Sequence, residues 1–126
     1  MIVVRFDDPQ EYHAPEQTAR RARVFINERK IGRKDIAVGM SIYGQSMEAP
    51  FHMHKGSETI FIVHGKGRFG TKSEEAEVGA GDVLYFKANE EHFLKNIGSQ
   101  TLEFVFIYSS PGDEKPIEEK WVPLTE

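Results

Sequence analysis

Three imidazoles and one carboxylate stand at spacings that could bring their lone pairs to one point: His52, His54, Glu58 and His92. Two histidines at i and i+2 on an extended strand face the same way. Glu58 follows after a gap of three residues, at the start of an apolar run, and His92 lies in a separate strand-like run. A donor set of three nitrogens and one oxygen, without sulfur, suits a divalent first-row ion such as Mn, Fe, Ni, Co or Zn. A lone His-x-His pair is weak evidence for a metal. The longer spacing carries the reading.

The elements that must position these residues read as strand after strand. Ile36, Val38, Met40 and Ile42 alternate with Ala37, Gly39 and Ser41. Residues 58–63 are β-branched and aromatic, as are residues 83–86 and 102–108. Turn signals separate them: Gly65 and Gly67, Gly79 to Asp82, 96–99, and 111–113. Short strands at such spacing predict an all-β sandwich or barrel. If the two histidines point inward, then so do Glu58, Ile60 and Ile62, leaving Thr59, Phe61 and Val63 outside. His92, Leu94 and Asn96 share a face by the same rule. One stretch, 15–23, is helix-like, with Pro15 suited to a first helical position. Residues 24–27 read as strand. The tail 111–126, with Trp121, Val122 and Leu124 between prolines, reads as an extended strap.

Two segments resemble the paired motifs of the cupin superfamily. The first is His52-Met-His54-Lys-Gly-Ser-Glu58, then six intervening residues and Gly65, within 44–65. The second, within 81–96, is Gly81, Lys87, Asn89, His92 and Asn96 in that order. Seven residues separate Gly44 from His52 where five is usual, which changes a loop. Lys87 and Asn89 replace the proline and glycine of the second motif. Asparagine tolerates the left-handed turn such a glycine serves. The resemblance implies a small single-domain jelly roll over residues 1–126, a double-stranded β-helix with the four donors on its inner face. It implies one divalent ion with two positions left for a small-molecule substrate or ligand. Two reaction types follow: isomerase or lyase chemistry through an enediolate, and dioxygenation. A non-catalytic metal-dependent binding module is the alternative, and a metal-free sugar epimerase is disfavoured by four filled ligand positions.

The 126-residue chain carries a net charge of -4 and no cysteine. That argues against a general nucleic-acid binder and leaves neither disulfides nor zinc–thiolate sites. No basic leader or long apolar run is present, so the expected compartment is the cytoplasm, with no membrane contact. The stretch 20–34 holds seven basic residues against Glu28 alone. It is an anion site or, more simply, a solvated face paired with Asp113, Glu114, Glu118 and Glu119. Asn96 reads first as a turn brace, Glu91 as a solvated acid, and His64 and His13 as loop residues. Tyr43, Tyr85, Tyr108, Phe104 and Phe106 read as packing residues, the phenylalanines also as cavity wall. Arg23 and Arg68 are candidate carboxylate clamps. The apolar outward set, Phe61 and Val63, predicts a homodimer.

Overall fold

The computed structural model describes residues 1–109 and 112–125. Eleven strands form two antiparallel sheets. Strands β1 (Glu11–Ala14), β2 (Gln17–Ile26), β3 (Ala37–Tyr43), β5 (Glu58–His64), β8 (Val83–Phe86), β10 (Leu102–Tyr108) and β11 (Val122–Pro123) make the larger sheet, in the order β11-β1-β2-β3-β10-β5-β8. Strands β4 (Glu48–His52), β6 (Lys66–Thr71), β7 (Glu75–Gly79) and β9 (His92–Asn96) make the smaller, in the order β4-β9-β6-β7. The expected jelly roll is therefore present. Among the described residues, no helix is long and apolar enough to cross a membrane.

The period-two reading holds on the central strands. Glu58, Ile60 and Ile62 are buried, while Phe61 and Val63 are each 44% exposed. His92, Leu94 and Asn96 are buried together. Leu102, Phe104, Phe106 and Tyr108 face the same interior from β10, which pairs with β3 and β5 along its length. On β3 the small residues face inward. A Cβ on Gly39 would lie 2.1 Å from Cζ of Phe106 and 2.6 Å from the carbonyl oxygen of Arg23. Glycine at this position is what lets the Phe106 ring lie flat on the strand.

Two expectations need correction. Residues 15–23 are not helical: Pro15 and Glu16 turn the chain between β1 and β2, and the rest is strand. Pairing on both flanks, with β1 and with β3, overrides a weak local helical preference. Arg20, Ala22 and Val24 then fall on one face, and Arg21 and Arg23 on the other, where both reach Glu11.

The tail is not an extended strap either. A short helix, α2 (Lys115–Lys120), starts with Pro116 in its first turn, buries Ile117, and leads into β11, which pairs with β1. Pro111 and Glu126 of the expected strap lie outside the described residues. The tail's acids meet the basic stretch within the chain. Glu118 sits 3.7 Å from Arg29 and 3.8 Å from Lys30. Asn27, which caps the four-residue helix α1 (Glu28–Ile31), donates to Glu114 and Glu118 at 3.2 and 2.8 Å.

Candidate metal centre

His52 is the last residue of β4 and opposes His92, the first of β9. His54 lies in the following loop, and Glu58 opens β5 across the interior. The ring centroids of the three histidines are 4.4 to 5.3 Å apart. Glu58 Oε1 lies 3.0 Å from His92 Nε2 and 3.3 Å from His54 Nε2. One donor atom from each of the four residues falls within 4.8 Å of every other. His92 and Glu58 are almost fully buried, and Phe86 stacks on the His92 ring at 4.2 Å.

Local structure fixes the rings. His52 Nδ1 is 2.7 Å from the Pro50 carbonyl, and His92 Nδ1 is 2.8 Å from the Glu90 carbonyl. A carbonyl only accepts, so each Nδ1 carries a proton and donates it. Each Nε2 is thereby the atom turned toward the centre, able to ligate once any proton on it is released. The His54 carbonyl accepts from the N–H of Asn89 at 2.8 Å. Asn89 holds the left-handed φ of 62° that its place in the second motif requires, so that turn also sets the height of His54.

The donor set fits a cation. His54 Nε2 is buried without a hydrogen-bond partner. Three imidazole nitrogens and a carboxylate oxygen converge there, an arrangement that repels itself unless protons or a metal ion occupy the middle. Burial pushes the Glu58 carboxyl up, but the His54 and His92 imidazoles beside it, through the His92 hydrogen bond and the charge of both, bring it below its ordinary value. Burial pushes His92 down, yet the Glu58 hydrogen bond outweighs it and leaves that imidazole above its usual value. For His52 burial prevails, lowering it to about 4, so its ring is neutral at physiological pH. The cluster suits a divalent ion, with one formal charge cancelled by Glu58.

Above the cluster lies a cavity of about 430 Å³. Phe104, Phe106 and Leu94 wall it; Tyr43 and Tyr108 add hydroxyls. Burial pushes both phenols above their ordinary pKa, and Glu58 adds to the rise at each, so both stay protonated as donors. The tail supplies the remaining side through Asp113, Pro116, Ile117 and Trp121. Asp113 accepts from the backbone N–H groups of Lys55 and Gly56, at 3.3 and 3.1 Å, and so ties the tail to the loop that carries His54.

The other candidates fall elsewhere. Asn96 donates to the carbonyls of Tyr43, Gly44 and Gln100 and accepts from Gly98, bracing two turns. Glu91 is paired with Lys72 on the surface, and Tyr85 is exposed. His64 contacts the Thr101 carbonyl, and His13 that of Ala14. Arg23 is bound to Pro9 and Glu11, and Arg68 to Glu77, so neither enters this cavity. The cavity arginine is Arg20, which sequence reasoning passed over. Its signal was the alternation Arg20, Ala22, Val24, hidden once the segment was read as helical.

A family model described as a cupin domain matches residues 39–108. Auxin-binding protein 1 of Arabidopsis thaliana is 27% identical over 99 residues, covering 71% of this chain and 50% of that protein. An oxalate-binding protein of Thermotoga maritima is 33% identical over 57 residues, 44% of this chain and 47% of that one. The chain thus spans about half the length of the curated relatives it matches. A crystal structure of a predicted oxalate decarboxylase from Thermotoga maritima superposes with a TM-score of 0.73 at 20% identity, covering 86% of this chain and 99% of the other. That likeness speaks for the fold. Both motifs lie within the matched segment, and the chain belongs to the cupin family.

Proposed function

We propose that this protein holds one divalent transition ion through His52, His54, Glu58 and His92 and uses it to capture and transform a small oxygenated molecule. The ligand is of sugar, keto or carboxylate type, and the chemistry is that of an isomerase or lyase, or of a dioxygenase. The observation that carries this reading is the convergence of four donor atoms beside a cavity of small-molecule size. When bound, such an ion supplies a Lewis acid with positions left over for ligand oxygens. The chain does the rest. The Nδ1 hydrogen bonds of His52 and His92 keep their Nε2 atoms turned inward. The aromatic wall excludes water, which strengthens every polar contact inside. The Tyr43 and Tyr108 hydroxyls are placed to donate to a ligand oxygen.

Elemental analysis of the protein as purified tests the reading. One transition metal per chain is expected, and near none in the His52→Ala, His54→Ala double variant. Equal stoichiometry in the two would overturn it. A second reading, capture without turnover, draws support from the two curated relatives, an auxin-binding and an oxalate-binding protein. Incubation of metal-loaded protein with ¹³C-oxalate separates the two for that ligand: new carbon resonances mean turnover, an unchanged bound signal means capture.

The working assembly we propose is a homodimer. Phe61 and Val63 on β5, and Val83 and Tyr85 on the edge strand β8, form an exposed apolar patch on the outside of the larger sheet. A second copy is the simplest cover, and C₂ symmetry the commonest arrangement. Light scattering at micromolar concentration should give twice the chain mass of 14.4 kDa; a value near one chain refutes the dimer.

A further inference from the structure

Arg20 points into the cavity from β2, opposite Tyr43 in register, and its surroundings are unlike those of every other arginine on that strand. Arg21 and Arg23 lie on the other face and both pair with Glu11. Arg20 has no carboxylate within ion-pair distance among the described residues. Its Nε donates to the Tyr43 hydroxyl at 3.1 Å. Its guanidinium carbon lies 5.4 Å from the Tyr43 ring centre and 5.1 Å from that of Trp121. The Nε hydrogen bond and two flanking aromatic rings, one from the sheet and one from the tail, therefore restrain the guanidinium without neutralising it. Neither Nη atom makes a hydrogen bond to the described residues. A planar fork with fixed orientation and both outer nitrogens left over matches a carboxylate in two-point contact.

The charges around the cavity point the same way. Glu58 is matched by imidazoles, and Asp113 is engaged by two backbone N–H groups. The cavity that Arg20 shares with the histidines is also lined by Phe104, Phe106 and Tyr108, largely apolar. A packing arginine with its head in water would serve without the double aromatic clamp. The clamp costs side-chain freedom and returns a preset geometry.

We propose that Arg20 is a second anchor and sets the ligand class: a small organic acid with metal-binding oxygens at one end and a carboxylate at the other, separated by a short apolar body. This rests on the metal reading above and names the ligand that the same site selects. Arg20 is a specificity-determining residue, acting at the end of the ligand remote from the histidines.

Calorimetry with Mn(II)-loaded protein tests it. The probes are 2-oxo diacids of four, five and six carbons, each compared with the 2-oxo monoacid in which a methyl group replaces the distal carboxylate. At one chain length or more, the diacid should bind at least tenfold tighter than its monoacid. In Arg20→Met the preference should vanish, with monoacid affinity and metal content retained; in Arg20→Lys part of it should return. A diacid preference that survives Arg20→Met overturns the proposal. So does equal binding of diacid and monoacid by the unmodified protein at every length, a result that does not depend on whether the variant folds. Repeating the series after chelation isolates the metal reading. Diacid binding that needs Arg20 but not the ion would sink that reading and leave the arginine anchor standing.

Discussion

His92 and Glu58 begin strands of opposite sheets and are locked by pairing on both flanks, whereas Pro116, Ile117 and Trp121 ride on a six-residue helix joined to the rest by few ties. The first group forms the floor of the cavity and the second its roof. On the floor the donors sit among core residues such as Ile60, Phe86 and Phe106, so their geometry is held by the whole barrel. On the roof, position depends on Asp113, on the Asn27–Glu118 contact and on a two-residue strand. Strand-borne groups can define a fixed coordination geometry. A tail-borne wall can change its shape without disturbing them.

The sharpest way to break this contrast is at the floor. Glu58→Gln removes the anionic donor and leaves two imidazoles facing an amide. Affinity for a divalent ion should drop by about 100-fold or more, since outer partners of ligands alone account for about 10–100-fold. Competition against a fluorescent chelator measures it. An affinity within a few-fold of the unmodified protein would remove Glu58 from the donor set.

Gly39→Ala tests how rigid the floor is. The new methyl group would strike Phe106 and the Arg23 carbonyl. Overpacking of this kind costs about 1–3 kcal/mol. Thermal unfolding should show a drop of several degrees, and because Phe106 lines the cavity, its displacement should lower ligand affinity as well. An unchanged melting temperature would mean that the strand yields where the barrel reading says it cannot.

Asp113→Asn tests the roof. It weakens two hydrogen bonds to the loop that follows His54, an effect of about 1 kcal/mol. Metal stoichiometry should not change, while ligand dissociation should quicken. Loss of the metal would show that floor and roof form one unit.

A pH series on chelator-treated protein sharpens the comparison further, because only the floor carries strongly shifted histidines. The His92 pKa is raised in the fold, so the stability it contributes is present below its unfolded value near 6.5 and is lost as pH rises through the folded value. His52 is lowered to about 4, so its contribution is present above about 6.5 and is lost as pH falls from there toward 4. Glu58, also lowered, adds to the loss on the acid side. For these groups, stability of the metal-free protein should peak near pH 6.5. Metal affinity should fall on acidification from neutral pH, since protons on His92 compete with the ion. A melting temperature that climbs steadily from pH 5 to 8 would contradict the His92 assignment.

The floor was legible in the sequence and the roof was not, and the reason is physical. Side chains on a strand follow a period of two, so placing Glu58 at the inner face commits Ile60 and Ile62. Asn89 could be assigned to a turn because few residues accept a positive φ. The roof has no such period. Pro116 and Trp121 find their places through contacts with β1 and β2, more than ninety residues away, which no local pattern encodes. Arg20 was lost for a related reason: a strand held by partners on both sides can override its local preference, and the face of each residue follows only once the strand is recognised.

Asp113, Ile117 and Trp121 all lie C-terminal to every donor, and β10, the last strand of the central barrel, also precedes them. Sequence change can therefore act on the two independently: drift in the tail re-shapes what the cavity admits, while the donor residues stay as they are.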